Sequence, residues 1–185
     1  NMSDRKKNII LTGFMGSGKT TVGIRLSYRL RQQLVDTDRL IEKEEGRSIS
    51  EIFAGQGEEG FRRMETAALK SLLETEGEQI ISTGGGLPMR EENRMLLKEL
   101  GTVVFLRVSA ETVYERLKGD DTRPLLQKEN PMEEIRRLLE IRNPVYQAAA
   151  DITVDVDGKD FEEIIGEIAG IVGGEKETAD ENTCD

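Results

Sequence analysis

The chain has 185 residues, of which 36% are apolar, and its formal net charge at pH 7 is −10. This length suffices to bury one core, so we expect one domain, and the negative charge argues against nucleic-acid binding because the average surface repels a polyanion. A single cysteine, Cys184, and the lack of histidine exclude an internal disulfide and the usual zinc sites. Apolar runs stay shorter than the about 18 residues of a membrane span, so we expect no membrane contact, no signal peptide before the first strand and a cytoplasmic location.

A phosphate-binding loop is the most specific pattern of the sequence. Residues 13–20 read Gly-Phe-Met-Gly-Ser-Gly-Lys-Thr, which fits Gly-x-x-x-x-Gly-Lys-[Ser/Thr]. Residues 8–12 predict a short buried strand before the loop, and apolar residues at every fourth position predict a helix after it. In that context Lys19 would reach the β and γ phosphates of a nucleotide, and Thr20 would bind Mg²⁺. The alternative is a chance glycine turn, which a strand and a helix in register disfavour.

Four further strands are predicted along the chain, separated by stretches with helical spacing of apolar residues. These strands are residues 33–36, 79–82, 102–107 and 151–156. Repeated strand and helix units indicate an α/β fold, in which a mostly parallel sheet carries helices on both faces.

Three segments depart from this alternation. Residues 37–75 hold too much helix for one crossover, and we interpret them as an inserted helical subdomain. Residues 118–129 are polar, contain glycine and proline and lie between two helices, which is typical of a mobile lid. Residues 173–185 are acidic and lack apolar periodicity, so we expect a disordered tail after a domain that spans residues 1–172.

Carboxylates and glycines follow two of the predicted strands, where ligands bind in open α/β sheets. Asp36 and Asp38 would face the phosphate loop; one could hold Mg²⁺ through water, and the other could orient or deprotonate an acceptor hydroxyl. Asp38 could instead be the N-cap of the next helix. The third strand is followed by Gly84, Gly85 and Gly86, which could admit a ligand against the backbone or form a flexible turn.

Three arginines could converge on a small anion, because a guanidinium binds carboxylate or phosphate through two parallel hydrogen bonds. Arg62 stands three residues before Glu65, which could hold it by an ion pair on one helix face. Arg123 lies in the predicted lid, and Arg142 begins the sequence Arg-Asn-Pro-Val-Tyr. Each arginine could instead be an ordinary surface salt-bridge partner.

Six motifs, taken in order, resemble those of bacterial shikimate kinases. They are residues 13–23, Asp-Thr-Asp (36–38), Phe-Arg-x-x-Glu (61–65), Gly-Gly-Gly (84–86), Arg-Pro-Leu-Leu (123–126) and Arg-x-Pro-x-Tyr (142–146). The resemblance covers residue 8 to about residue 172. It implies a three-layer P-loop fold like that of nucleoside monophosphate kinases, with a five-stranded parallel sheet of order 2-3-1-4-5, a shikimate-binding helical subdomain and a closing lid.

The resemblance also implies an activity and the residues that perform it. The activity is ATP-dependent phosphorylation of the 3-hydroxyl of shikimate, in aromatic amino-acid biosynthesis, and we expect a monomer.

ATP would be bound by Gly16, Ser17, Gly18, Lys19, Thr20 and Thr21, with Arg116 against adenine and Arg123 at the transferred phosphoryl group. Mg²⁺ would be held by Thr20 and Asp36. Shikimate would contact Asp38, Arg62, Arg142, Gly84, Gly85, Gly86, Phe53 and Phe61. Catalysis would depend on Lys19, Asp38 and Arg123, with Asp38 either a base or an aligning group. No residue is assigned in the loop 155–159.

Two other functions are compatible with parts of the pattern. Another small-molecule kinase of this fold, such as a gluconate kinase, would not require two arginines paired with Asp-Thr-Asp and the triple glycine. A nucleotide-binding regulatory protein without catalysis is disfavoured because Lys19, Thr20, Asp36, Asp38 and Arg123 are all present.

Overall fold

The computed structural model of the chain describes residues 6–120 and 124–181, with side chains as far as residue 173. Arg123 and residues 182–185 therefore lie outside the described residues, and the predicted role of Arg123 depends on sequence alone. In the described part of the chain, no helix is long and apolar enough to cross a membrane.

Five parallel strands form one sheet in the order β2-β3-β1-β4-β5, which confirms the predicted topology. The strands are β1 (Asn8–Thr12), β2 (Gln33–Asp36), β3 (Gln79–Ser82), β4 (Gly101–Arg107) and β5 (Ile152–Asp155). The helices are α1 (Lys19–Leu30), α2 (Thr37–Glu45), α3 (Ile49–Leu73), α4 (Glu91–Leu100), α5 (Ala110–Leu117), α6 (Pro131–Ala149) and α7 (Phe161–Glu181). Short 3₁₀ turns occupy Leu87–Met89 and Pro124–Gln127.

The central strand β1 is buried on both faces, because helices cover both sides of the sheet. Ile9 and Leu11 belong to one apolar cluster with residues of α1 and α7. Ile10 points the other way and belongs to a second cluster with Leu69 of α3 and Leu97 of α4. Since successive side chains of a strand alternate between faces, the apolar run of residues 9–11 is what a doubly covered strand requires.

The predicted helical insertion consists of α2 and α3, which share a small apolar cluster of their own. Helix α3 is interrupted at Gly57, whose φ of 70° and ψ of −177° are not helical. The part of α3 that follows this break carries Arg62 and Glu65 toward the carboxyl ends of the strands.

The chain differs from the sequence expectation at its last helix. The backbone of helix α7 continues to Glu181, whereas residues 173–185 were predicted to form a disordered acidic tail after a domain of residues 1–172. Glutamate, lysine and alanine in this segment are good helix formers and no proline interrupts them, so the backbone can remain helical without an apolar stripe. The predicted lid holds the 3₁₀ turn Pro124–Gln127, in which Leu125 is buried against the core.

Candidate active site

A cleft of about 570 Å³ lies at the carboxyl ends of the strands and brings most of the predicted site residues together. The predicted residues that line it are Gly16, Gly18, Lys19, Thr20, Thr21, Asp36, Asp38, Phe61, Arg62, Gly84, Gly85, Gly86, Arg116 and Arg142. Residues from five of the six motifs therefore line one concavity, as expected where parallel strands end, while the described residues 124–126 of the remaining motif do not line it.

The phosphate loop forms one wall of this cleft. Gly16 and Gly18 have φ of 80° and 96°, a left-handed backbone that glycine adopts without strain. Gly18 caps α1 without any side-chain hydrogen bond, so the first amides of the helix are left to bind an anion. Lys19 Nζ donates to the carbonyl of Gly13 at 2.5 Å. Desolvation lowers the pKa of the Lys19 amine to about 8, although the charges of the two nearby aspartates oppose the shift.

Ser17 and Phe53 are the two described residues of the predicted set that do not line the cleft. Ser17, within the loop, is fully buried, and its amide donates to the carbonyl of Phe14 at 3.1 Å. Phe53 is 38% exposed, and its ring contacts that of Phe61 with centroids 5.0 Å apart, but Phe61 alone of the two lines the cleft.

The two aspartates after β2 have different surroundings. Asp36 is the N-cap of α2, because its Oδ1 accepts from the amides of Asp38 and Arg39 at 2.9 and 3.3 Å. The alternative in which Asp38 is the cap is therefore wrong. Asp38 Oδ1 is buried and has no hydrogen-bond partner among the described residues. Desolvation, together with the charge of Asp36, raises the pKa of Asp38.

Arg62 forms the predicted ion pair with Glu65. Its Nη1 donates to Glu65 Oε1 at 2.6 Å, and Glu65 is fully buried. Desolvation raises the pKa of Glu65 to about 7, while the bond from Arg62 acts in the opposite direction. The second oxygen, Oε2, has no partner among the described residues. A rigid guanidinium in a fixed position is suited to bind a carboxylate bidentately.

The triple glycine makes room for charged groups on three sides. A Cβ at Gly84 would stand 2.8 Å from Asp38 Oδ1 and 3.3 Å from Glu65 Oε2. At Gly85 it would stand 3.4 Å from Arg142 Nη1, and the Gly85 carbonyl accepts a 2.6 Å hydrogen bond from the Tyr146 hydroxyl. These contacts give a steric reason for glycine, because a larger residue at position 84 would press on the charged side chains of the site.

Helix α6 supplies a second arginine of the cleft, near the triple glycine. Arg142 lies over the ring of Phe14, with Cζ 5.6 Å from the ring centroid. Tyr146, one turn later, is fully buried and fixes the helix against the glycine turn. Tyr146 belongs to the motif of residues 142–146, but the motif alone predicted no role for it.

One aromatic residue of the cleft was not assigned from the sequence. Phe161, the first residue of α7, lines the cleft, and the Cζ atoms of Arg116 and Arg25 lie 5.6 and 5.4 Å from its ring centroid. Arg116 Nη1 also donates to the carbonyl of Gly16 at 2.8 Å. Phe161 fits the apolar spacing of its helix together with Ile164, Ile165 and Ile168, so periodicity alone does not separate it from the core.

The comparisons with known proteins agree on one family. The family model for shikimate kinase matches residues 15–172. A shikimate kinase of Persephonella marina is 47% identical over 89% of this chain and 98% of its own length, and one of Geobacter sulfurreducens is 45% identical over 90% and 91%. The structure of shikimate kinase from Acinetobacter baumannii in complex with shikimate superposes with a TM-score of 0.83 at 37% identity, covering 95% of this chain and 97% of that chain.

Proposed function

The chain belongs to the shikimate kinase family, and from that membership we propose that it transfers the γ-phosphoryl group of ATP to the 3-hydroxyl of shikimate. The products are ADP and shikimate 3-phosphate, an intermediate of aromatic amino-acid biosynthesis. The structural observation that best supports this activity is that Arg62 and Arg142 face the triple glycine in the cleft that the phosphate loop also lines. Two cations at the acceptor end suit a substrate with a carboxylate.

The acceptor is held at one end by its carboxylate and at the other by its hydroxyls. Arg62 and Arg142 would bind the carboxylate, and Asp38, which lines the cleft, would accept hydrogen bonds from ring hydroxyls. Gly84, Gly85 and Gly86 would lie along the ring, and Phe61 would contact its apolar face. This arrangement fixes the distance between the reacting hydroxyl and the phosphate loop, and such positioning supplies much of the rate in phosphoryl transfer.

In the transfer step, a bond forms between the 3-hydroxyl oxygen and the γ-phosphorus while the bond from that phosphorus to the β–γ bridging oxygen breaks. ADP leaves with the electron pair, and the hydroxyl proton passes to Asp38 or to a phosphoryl oxygen. Lys19 would stabilise the charge on the β and γ phosphates. Arg123, on sequence alone, is proposed to reach the transferred group when the segment 118–129 closes.

Mg²⁺ is proposed as the accompanying metal, with Thr20 and Asp36 as the residues that would hold it. A hydroxyl and a carboxylate are the hard oxygen donors that Mg²⁺ prefers. Asp36 uses Oδ1 to cap α2, which leaves Oδ2 for a metal-bound water. Among the described residues no cluster of three or more acidic, cysteine or histidine side chains could hold a metal. When bound, the metal neutralises phosphate charge and orients the transferred group.

The remaining proposals concern partners and location. Shikimate and ATP are the small-molecule partners, and the acidic chain is proposed to act as a monomer in the cytoplasm, without nucleic acid or membrane. The net charge of −10 supports the part of this proposal that concerns nucleic acid.

The test is the release of ADP with and without shikimate, in the presence of MgATP. We expect ADP release to depend on shikimate, and gluconate, the matched control acceptor, to give no increase. Lys19→Met removes the charge while keeping the length of the side chain, and we expect it to remain folded and to lose about a hundredfold or more in turnover. ADP release that shikimate does not accelerate would overturn the proposal, and acceleration by gluconate alone would point to another kinase of this fold.

A further inference from the structure

A fully buried asparagine on α4 connects the two elements that form the acceptor end of the cleft. Asn93 has no exposed surface. Its Oδ1 accepts a hydrogen bond from Thr66 Oγ1 at 2.6 Å, and its Nδ2 donates to the carbonyl of Leu87 at 3.0 Å. A buried amide that finds good partners at both ends joins them firmly, because breaking either bond would leave a desolvated polar group.

The first partner, Thr66, lies on α3 one turn after Arg62. Its hydroxyl stands 3.1 Å from the carbonyl of Arg62 and 2.6 Å from Asn93 Oδ1. A hydroxyl has one proton to donate, and the shorter separation assigns it to Asn93. The bond therefore ties the turn of α3 that carries Arg62 to helix α4.

The second partner, Leu87, directly follows the triple glycine. Gly86 lies against the guanidinium of Arg62, such that a Cβ at that position would stand 2.6 Å from Arg62 Cζ. Arg94, the neighbour of Asn93, donates to the carbonyls of Pro88 and Met89 at 2.9 and 3.0 Å. Helix α4 thus holds the chain after the glycines at successive carbonyls.

We propose that Asn93 is a positioning residue for the acceptor site, acting through its bonds to Thr66 and Leu87. It sets the separation between the Arg62 guanidinium and the backbone at Gly86, and thereby the width of the site that receives the substrate carboxylate. Asn93 does not line the cleft, so it acts only through the groups that it holds. The inference depends on the proposed function, since it assumes that Arg62 and the glycines bind shikimate.

A second buried asparagine, Asn8, is a matched control, because it contributes to stability but lies far from the cleft. Asn8 is 3% exposed and also joins three elements: its Nδ2 donates to the carbonyl of Leu100 at 2.9 Å, and its Oδ1 accepts from the amide of Gln79 at 2.8 Å. These bonds lie at the amino ends of β1 and β3, which is the edge of the sheet opposite to the cleft. The two asparagines therefore resemble each other in burial and bonding but differ in distance from the site.

The experiment compares Asn93→Leu with Asn8→Leu, each of nearly the same size as asparagine. The measurements are the melting temperature, kcat, and KM for shikimate and for ATP. We expect both variants to melt at lower temperature, and only Asn93→Leu to raise KM for shikimate, by about tenfold, with KM for ATP within about twofold of wild type. An unchanged KM for shikimate in Asn93→Leu, or an equal rise of both KM values, would overturn the inference.

A second variant keeps the test decisive if Asn93→Leu does not fold. Thr66→Val removes one hydroxyl and preserves the shape of the side chain, and we expect a smaller rise of KM for shikimate, about threefold, in the same direction. A folded Thr66→Val with wild-type kinetics would also overturn the inference. If the wild-type protein itself showed no shikimate-dependent turnover, that result would contradict the proposed function, and with it the proposed role of Asn93.

Discussion

The guanidinium of Arg62 lies directly against the Cα of Gly86, and a Cβ at residue 86 would stand 2.6 Å from Arg62 Cζ. Gly86 has φ of −89° and ψ of −8°, a conformation that any residue can adopt. The requirement for glycine here is therefore steric, since a larger residue would displace the cation that is proposed to bind the substrate carboxylate.

Replacing this glycine should separate binding from stability. In Gly86→Ala the guanidinium, at the end of a flexible side chain, would move aside and its bond to Glu65 would weaken, so we expect a modest fall in melting temperature. KM for shikimate should rise by about tenfold or more, because the cation leaves its position. Gly170→Ala is the control, since a Cβ there meets nothing within 4 Å. Wild-type KM in Gly86→Ala would show that the position of Arg62 is unimportant for binding.

Arg142→Ala should weaken shikimate binding without weakening ATP binding. Removing one cation from a carboxylate pair costs about 2 to 5 kcal/mol in desolvated sites. Arg142 is a cleaner probe than Arg62, whose removal would leave Glu65 buried without its ion-pair partner. Calorimetry with shikimate and with ADP measures the two affinities. The control is Arg136→Ala, because Arg136 and Glu111 form an exposed surface pair, and equal affinities for shikimate in the two variants would exclude the carboxylate role.

Glu65 should make the stability of the protein fall as pH rises. Its pKa is raised from 4.5 to about 7 in the folded state, so the folded state binds the proton more tightly. The resulting stabilisation is complete below pH 4.5 and is lost as pH rises through about 7. Glu65→Gln does not titrate, and we expect the wild-type free energy of unfolding to decrease relative to that of this variant across the window. Urea denaturation at several pH values measures this difference; a constant difference would mean that Glu65 titrates normally.

Replacing Phe161 should weaken the binding of ATP and leave the binding of shikimate unchanged. Its ring contacts two guanidinium groups, those of Arg25 and Arg116, and each such contact is worth about 0.5 to 1 kcal/mol at exposed sites. Phe161→Leu would release Arg116, so we expect KM for ATP to rise by about two- to fivefold with KM for shikimate unchanged. Phe161→Tyr keeps the aromatic face and should remain close to wild type. Identical ATP kinetics in the leucine and tyrosine variants would contradict this role.

The strands and the phosphate loop were predictable because their signals are local. Residues 33–36 and 79–82 have the bounds that the sequence predicted, and residues 101–107 differ by one residue. Each is a short apolar run next to a helix with regular spacing, so neighbouring residues contain the information. The ion pair between Arg62 and Glu65 was predictable for the same reason, as the two residues are three positions apart on one helix.

The residues that the sequence did not identify depend on contacts between distant segments. Thr66 and Asn93 are 27 positions apart, and a polar residue on a helix gives no sign that it will be buried and paired. The ring of Phe161 meets Arg116 only after α5 and α7 have packed beside the phosphate loop. The N-cap of α2 could not be predicted for another reason. Both Asp36 and Asp38 are residue types that cap helices, and only the backbone conformation shows that Asp36 is the cap.

The location of the phosphate in the product tests the central claim most directly. The protein would be incubated with MgATP and shikimate, and the products followed by phosphorus NMR with coupling to ring protons. We predict one phosphomonoester, coupled to the proton on the carbon that bears the 3-hydroxyl, formed in equal amount with ADP. Phosphate released only as the inorganic ion, or an ester on a different hydroxyl, would contradict the proposed geometry of Lys19, Asp38 and the two acceptor arginines.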